Sequence, residues 1–324
     1  MSFLGKALYQ AWHRPKSALK RSAREGGPWQ QWLDARGRRA MQQAARNLPA
    51  WPAPRAGSPE VHFLTGRKFW YQTAFCLHSL RRMGGDVRAV FIDDGSFDAA
   101  LTAEMSAKFP GCRIVGVAET DAWLDAVLPA RRYPTLRAQR LTYLHLRKLT
   151  DVHAGRSGWR LVLDSDMLFF QRPDALLAWL AAPERPVHMV DLHDAYGYPP
   201  ASLAALTAKP VPGKVNVGIC GLRSETMDWN FLEEAAATLI HRHGTSYYLE
   251  QALVALLASN NPTLRLCAEE YRLMPGEDEC RRPTAVLHHY VDKSKRGYFR
   301  TAWRHVGHGP TPRTQPPLRP ESAG

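Results

Sequence analysis

The sequence predicts a doubly wound α/β sheet with a ligand site at the carboxyl ends of its strands. Three observations predict it. Short apolar runs of strand type alternate with stretches of helical length from residue 61 onward. Their order, strand then helix then strand, is that of a parallel crossover unit. Finally, three of the runs end in polar residues, Thr65-Gly66, Asp93-Asp94-Gly95 and Asp164-Ser165-Asp166, at the place where open sheets bind ligands.

Residues 1–47 interleave Trp12, Trp29, Trp32, Leu8, Leu19 and Leu33 with lysines and arginines, among them Lys16, Lys20, Arg21, Arg24, Arg36, Arg38 and Arg39. Interrupted basic amphipathic helices have this composition. A helix packed on the domain and a membrane-surface anchor both fit it. Pro49, Pro52, Pro54 and Pro59 then forbid a continuous helix and mark a linker, so residues 1–59 form an arm and the compact domain is expected over 60–306.

Within that domain the first strand is 61–64, a helix covers 70–82, and a second strand covers 87–92. A helix at 97–109 leads to a strand at 113–117, one long helix is expected over 136–152, and the apolar run 159–163 is a strand. The second half is mixed, with strands at 187–190, 215–221 and 285–290 and helices at 227–243 and 247–258. Residues 307–324 are too rich in proline to pack and are expected to form a disordered tail.

Composition narrows the function. With 324 residues, 45% of them hydrophobic and 23% charged, the chain has material for one large core. Five widely spaced cysteines without a CxxC pair argue against both a disulfide framework and a zinc cluster, and suggest a reducing compartment. Neither a signal-peptide apolar stretch nor a membrane-spanning window is present, so a cytoplasmic protein is expected, with contact to the inner membrane face through the basic arm as an option. The net charge of +13 is carried by the ends: residues 1–60 hold 11 Lys/Arg against 3 acids, and residues 281–324 hold 9 against 2. The middle is near neutral and no nucleic-acid-binding signature accompanies the excess, so phosphate or anionic lipid is the expected partner and nucleic acid is not.

Asp164 and Asp166 follow a Leu-Val-Leu strand, and their i, i+2 spacing turns both carboxylates one way while Ser165 faces aside. Two carboxylates so placed suit Mg²⁺ or Mn²⁺ completed by substrate phosphates; a chance tripeptide at a loop start is the plainer explanation. Asp93 and Asp94 suit a ribose or base contact or, equally, a helix-capping turn. His288 and His289 end a strand, with Lys293, Lys295 and Arg296 close behind; they suit a metal and a diphosphate or, more often, a core histidine and a solvated face.

Taken in order from residue 61 to 295, these stretches resemble the glycogenin-like, family-eight glycosyltransferases, retaining enzymes of GT-A fold that use nucleotide sugars. Phe63-Leu64-Thr65-Gly66 followed by Leu77-His78-Ser79-Leu80 is similar to the family's first strand and helix, which implies base contacts at Thr65, Gly66 and the aromatic Phe69, with Tyr71 close by. The Asp164-Ser165-Asp166 segment resembles the family's D-x-D motif. Asn216-Val217-Gly218 matches its Asn-x-Gly beside the sugar, and Glu250-Gln251 stands where the family has Asp-Gln. His289 precedes Lys295 by six residues, the spacing of the family's metal-ligand histidine and diphosphate lysine, although Arg296-Gly297 replaces the usual Pro-Trp.

The resemblance therefore implies a metal held by Asp164, Asp166 and His289, a donor site including Asp93, Asp94, Ser165 and Lys295, and sugar-facing residues Asn216, Glu250 and Gln251. Arg140 and Lys148 are further phosphate candidates. The implied reaction moves a hexose, from UDP, to a surface glycan, lipid-linked sugar or protein acceptor. A nucleotidyltransferase would share the sheet and the acids but bring a glycine-rich loop, for which Thr65-Gly66-Arg67-Lys68 is too poor in glycine. A binding protein with a decayed sugar-nucleotide site is the alternative from outside enzymology.

Overall fold

The computed structural model describes residues 27–260 and 262–307; the expectations for residues 1–26 and for the tail from 308 fall outside the described residues. Its centre is a seven-stranded sheet in the order β3-β2-β1-β4-β7-β6-β8, built from β1 Glu60–Thr65, β2 Arg88–Asp93, β3 Arg113–Val115, β4 Trp159–Leu163, β6 Val187–Val190, β7 Val215–Arg223 and β8 Leu264–Arg265. Strands β3, β2, β1 and β4 run parallel, while β7 runs against both β4 and β6. The mixed α/β architecture expected from the sequence is therefore present. The chain leaves β1 toward β2 and β3, then crosses to β4 on the other side. That reversal opens a crevice beyond the carboxyl ends of β1 and β4, the ends that carry Thr65 and Asp164.

A second sheet, β5-β10-β9, stands beside this crevice. It comprises β5 Met167–Phe169, β9 Tyr271–Leu273 and β10 Leu287–His289. Strand β5 begins directly after the acidic tripeptide, and its antiparallel pairing with β10 sets Met167 opposite His289. One apolar core joins the two sheets: Phe63, Phe75 and Phe91 from the large-sheet side meet Leu168, Phe169, Tyr271 and Leu287.

The helix Trp70–Arg82 fills the expected span and is buried along nearly its whole length, which is why it shows weak amphipathicity for its size. The helix Gly27–Arg46 contributes Met41 and Ala45 to the same core, so this part of the arm packs on the domain.

Two expectations are corrected. The single helix over 136–152 is broken into Pro134–Thr142, a 3₁₀ turn Leu144–Leu146 and a helix Arg147–His153. Tyr143 leaves helical geometry at φ −124°, ψ 88°, and its hydroxyl donates to the Tyr247 carbonyl, 2.5 Å away. The tertiary bond thus outweighs local helix propensity. Residues 117–127 were not expected to be helical; the strand ends at Val115, and Gly116 in extended conformation starts the helix Val117–Val127.

Candidate active site

The acidic tripeptide occupies the turn between β4 and β5. The Asp164 amide donates to the Gly218 carbonyl on β7 at 2.8 Å, and the Tyr290 amide after β10 donates to the Asp166 carbonyl at 2.9 Å. These two bonds bring the Asn-x-Gly strand and the histidine strand to the acids. Nε2 of His289 lies 3.3 Å from Asp166 Oδ1 and 3.6 Å from Asp164 Oδ2. One ligand atom from each of the three residues falls within 4.8 Å of the other two, the spacing of a candidate metal site. The imidazole is buried, yet neither ring nitrogen makes a hydrogen bond among the described residues. Buried polar atoms without partners are uncommon. Two carboxylates and an unsatisfied imidazole fit a divalent cation.

Gly218 is part of this arrangement. A Cβ there would stand 2.4 Å from Cε1 and 2.5 Å from Nδ1 of His289, so any side chain would displace the ring. His288 points the other way: its ring is buried between Glu279, 2.8 Å from Nε2, and the Tyr290 hydroxyl, 2.9 Å from Nδ1. Burial lowers its pKa to about 4 against the pull of Glu279. Of the two histidines, His289 alone faces the acids.

Two lysines hold the carboxylates. Lys295 pairs with Asp166. Burial works to raise the Asp166 pKa, but Lys295 and then His289 overcome it and keep the carboxyl well below its usual range. Lys148, 4% exposed, lies 2.9 Å from Asp164 Oδ1 and 3.0 Å from Glu250 Oε2. Burial opposes its charge, and Asp164 and Glu250 outweigh burial, holding the ammonium above its ordinary range. Burial pushes Glu250 up to about 7, against the pull of Lys148. Lys148 is thus part of the site's buried charge network and not a solvated helix face.

Asn216 and Gln251 meet at Asp191. Asn216 Nδ2 and Gln251 Nε2 donate to Asp191 Oδ2 at 2.9 and 3.2 Å, and Gln251 also donates to the Ala195 carbonyl at 2.7 Å. Asp191 directly follows β6. Its observed place at the end of β6 makes it the acceptor that orients both amides, something its own neighbourhood in the chain does not signal.

On the other flank, three hydroxyls link the first strand to the tripeptide: Thr65 to Thr73 and Thr73 to Ser165, each at 2.7 Å. Thr73 was not singled out from the sequence. At Gly66 a Cβ would stand 1.9 Å from the Asp94 carboxylate, so a side chain there would displace Asp94 from its present place. Phe69 is half-exposed at the crevice-side start of its helix.

Several expected donor contacts have other work. Asp93 Oδ1 accepts from the amides of Gly95, Ser96 and Phe97, and Asp94 Oδ1 accepts from Ser96; both acids hold the turn after β2, but the cap of the following helix is Asp98, whose side chain accepts from the Leu101 amide. Tyr71 is 3% exposed and belongs to the core, so it offers no ring face to a base. Arg140 is 1% exposed, doubly bonded to Asp151 at 2.6 and 2.9 Å and bonded to Asp121 at 2.7 Å. Its guanidinium is consumed by these carboxylates and is not available to phosphate.

No protein-family model and no curated protein sequence matches this chain. Solved structures do. A galactosyltransferase, LgtC, in complex with donor and acceptor sugar analogs is 14% identical, with 76% of this chain and 95% of that chain covered at a TM-score of 0.52. The apo mouse xyloside xylosyltransferase 1 is 13% identical, covering 73% and 98% of the two chains at a TM-score of 0.49. At this identity the first likeness establishes the fold: the chain has a GT-A glycosyltransferase fold.

Proposed function

We propose that this protein is a metal-dependent glycosyltransferase that moves a sugar from a nucleotide-diphosphate sugar to a glycan, lipid-linked or protein acceptor. The observation that carries the reading is the convergence of Asp164, Asp166 and an unsatisfied His289 at the switch point of a GT-A sheet. Asp164, Asp166 and His289 would hold Mn²⁺ or Mg²⁺, which when bound supplies positive charge to a diphosphate leaving group. Lys295 adds a cation of the protein's own on the Asp166 side. Its ammonium, now on Asp166, stands ready to neutralise charge as the anomeric bond breaks.

The donor sugar would lie over β7, where Asn216 and Gln251 are held by Asp191. Fixing both amides on one carboxylate sets their orientation before substrate arrives, which lowers the reorganisation required during reaction. Glu250 is engaged with Lys148, so it acts on the site's charge balance and does not reach the sugar as a free base. That arrangement, with the resemblance to family-eight enzymes, favours a retaining reaction on a UDP-hexose. Phe69, half-exposed, offers the base a ring face, and Thr65, Gly66 and Ser165 shape the adjoining wall.

The test is calorimetric titration of UDP with and without Mn²⁺ into the native chain and into Asp164→Ala with Asp166→Ala. Binding that needs Mn²⁺ and disappears in the double variant is expected. A folded protein that binds neither UDP nor another nucleoside diphosphate under any metal condition would remove the donor-site reading.

A further inference from the structure

The helix Gly27–Arg46 has two unlike sides. Its inner side places Gly37, Met41 and Ala45 against the domain. Its outer side exposes Trp29, Trp32, Arg36, Arg39 and Gln43, a spacing of three and four that forms one continuous stripe on a helix. Trp29 and Trp32 are 64% and 44% exposed, and their rings stack at 4.9 Å. The Arg36 guanidinium lies 5.5 Å from the Trp32 ring centroid. Two large aromatic rings side by side in water are costly and rarely kept without a partner.

The charge on this face has one sign. Asp34 is the acid of this helix, and Arg300 occupies it at 2.6 Å from the packed side. The outward face therefore presents Arg36 and Arg39, with Arg46 further along, and no carboxylate. The preceding residues 1–26 carry Lys6, Arg14, Lys16, Lys20, Arg21 and Arg24 against Glu25. That stretch repels the face, so its own chain is an unfavourable cover for it. Tryptophan rings seek the polar boundary of a bilayer, and arginines beside them pair with anionic head groups while their stems stay in the apolar zone.

We propose that the Trp29–Gln43 face docks on the surface of an anionic lipid bilayer. The helix is not a loose tether. Arg300 also donates to the Gln30 side chain and carbonyl, each at 2.8 Å, and Arg38 covers the Phe299 ring at 4.7 Å. Gly37 sits so close to the Phe299 carbonyl that a Cβ would stand 2.5 Å from it. These contacts fix the helix to the segment that follows Lys295, so docking sets the orientation of the whole site relative to the lipid.

The experiment is co-sedimentation of the full chain with vesicles of phosphatidylcholine alone and of phosphatidylcholine with about 30 mol% phosphatidylglycerol. The expected result is partition onto the anionic vesicles that weakens with added salt, and about tenfold weaker partition onto the neutral ones. Trp29→Ser with Trp32→Ser, and separately Arg36→Glu with Arg39→Glu, should each lower anionic partition by about tenfold or more. All four side chains are exposed, so both double variants should melt as the parent does. Absence of binding to anionic vesicles overturns the proposal. So does binding that survives both double variants, which would assign attachment to the basic stretch before Gly27.

Discussion

Replacing Lys148 by Met tests the buried charge network at its centre. Methionine keeps the apolar stem and removes the ammonium that lies 2.9 Å from Asp164 and 3.0 Å from Glu250. Breaking a buried ion pair from one side costs ~3–5 kcal/mol, because the remaining charge is left uncompensated. Glu250 can escape that cost by taking a proton, which makes the cost depend on pH. With Lys148 present, the Glu250 pKa is raised from 4.5 to about 7. Without Lys148, the attraction that opposes burial is gone and the pKa rises further. An acid whose folded pKa is raised loses stability as pH climbs from its unfolded value to its folded one. The parent therefore stops losing stability from this group near pH 7, while Lys148→Met continues to lose it. The gap should be smallest near pH 5.5, where Glu250 is protonated in both proteins. It should widen above pH 7 by up to ~1.4 kcal/mol per pH unit until the variant's own raised Glu250 value is reached, so by as much as ~2 kcal/mol at about pH 8.5. Urea unfolding followed by tryptophan fluorescence at the two pH values measures it. A destabilisation that is equal at both, or that shrinks as pH rises, would refute the account of Glu250.

Other expectations follow from single contacts. Gly218→Ala should weaken Mn²⁺ binding by about 10-fold to 100-fold, as loss of a positioning contact does, because the methyl group meets the His289 ring; calorimetry with Mn²⁺ alone reads this, and unchanged affinity would separate Gly218 from the site. Arg140→Met should destabilise the fold by ~3–5 kcal/mol yet leave UDP affinity of the folded protein unaltered, since its guanidinium is spent on Asp121 and Asp151; weaker UDP binding would restore it to the donor site. His62 and His153, both buried and both lowered to about 3 by burial first, bind protons only when the chain unfolds. A depressed histidine costs stability below its unfolded pKa, so the pair should remove ~3 kcal/mol per pH unit below about 6.5. Denaturant midpoints that stay level from about pH 6.5 to 4.5 would contradict this.

The sheet was legible because its strands are buried on both faces and read as continuous apolar runs; 61–64, 159–163 and 187–190 all stand where the pattern put them. The acidic tripeptide was legible for the same reason, since a buried strand ends there abruptly in carboxylates. What local pattern could not supply was pairing. Lys148 and Arg140 sit one on each side of a helix break caused by the Tyr143 bond to Tyr247, and from sequence both look like the same basic helix face. The break separates them: one cation enters the crevice, and the other is buried against Asp151.

The same limit explains Asp191, Thr73 and Gly218. Each acts on a residue far away in the chain, at Gln251, Ser165 and His289 respectively. A carboxylate after β6 reads as a loop residue, and a threonine inside a helix reads as core filler, until the sheet order is known. Once β4 lies between β1 and β7, the turn after it must face the helix that follows β1 on one side and the Asn-x-Gly strand on the other. Strand β10 can then reach Asp166 only by pairing with β5, which fixes His289 opposite Met167. The histidine's ring is thereby held over Gly218, where only a missing side chain leaves room. The convergence of Asp164, Asp166 and His289 is thus a consequence of strand order and of one glycine as much as of the three residues themselves.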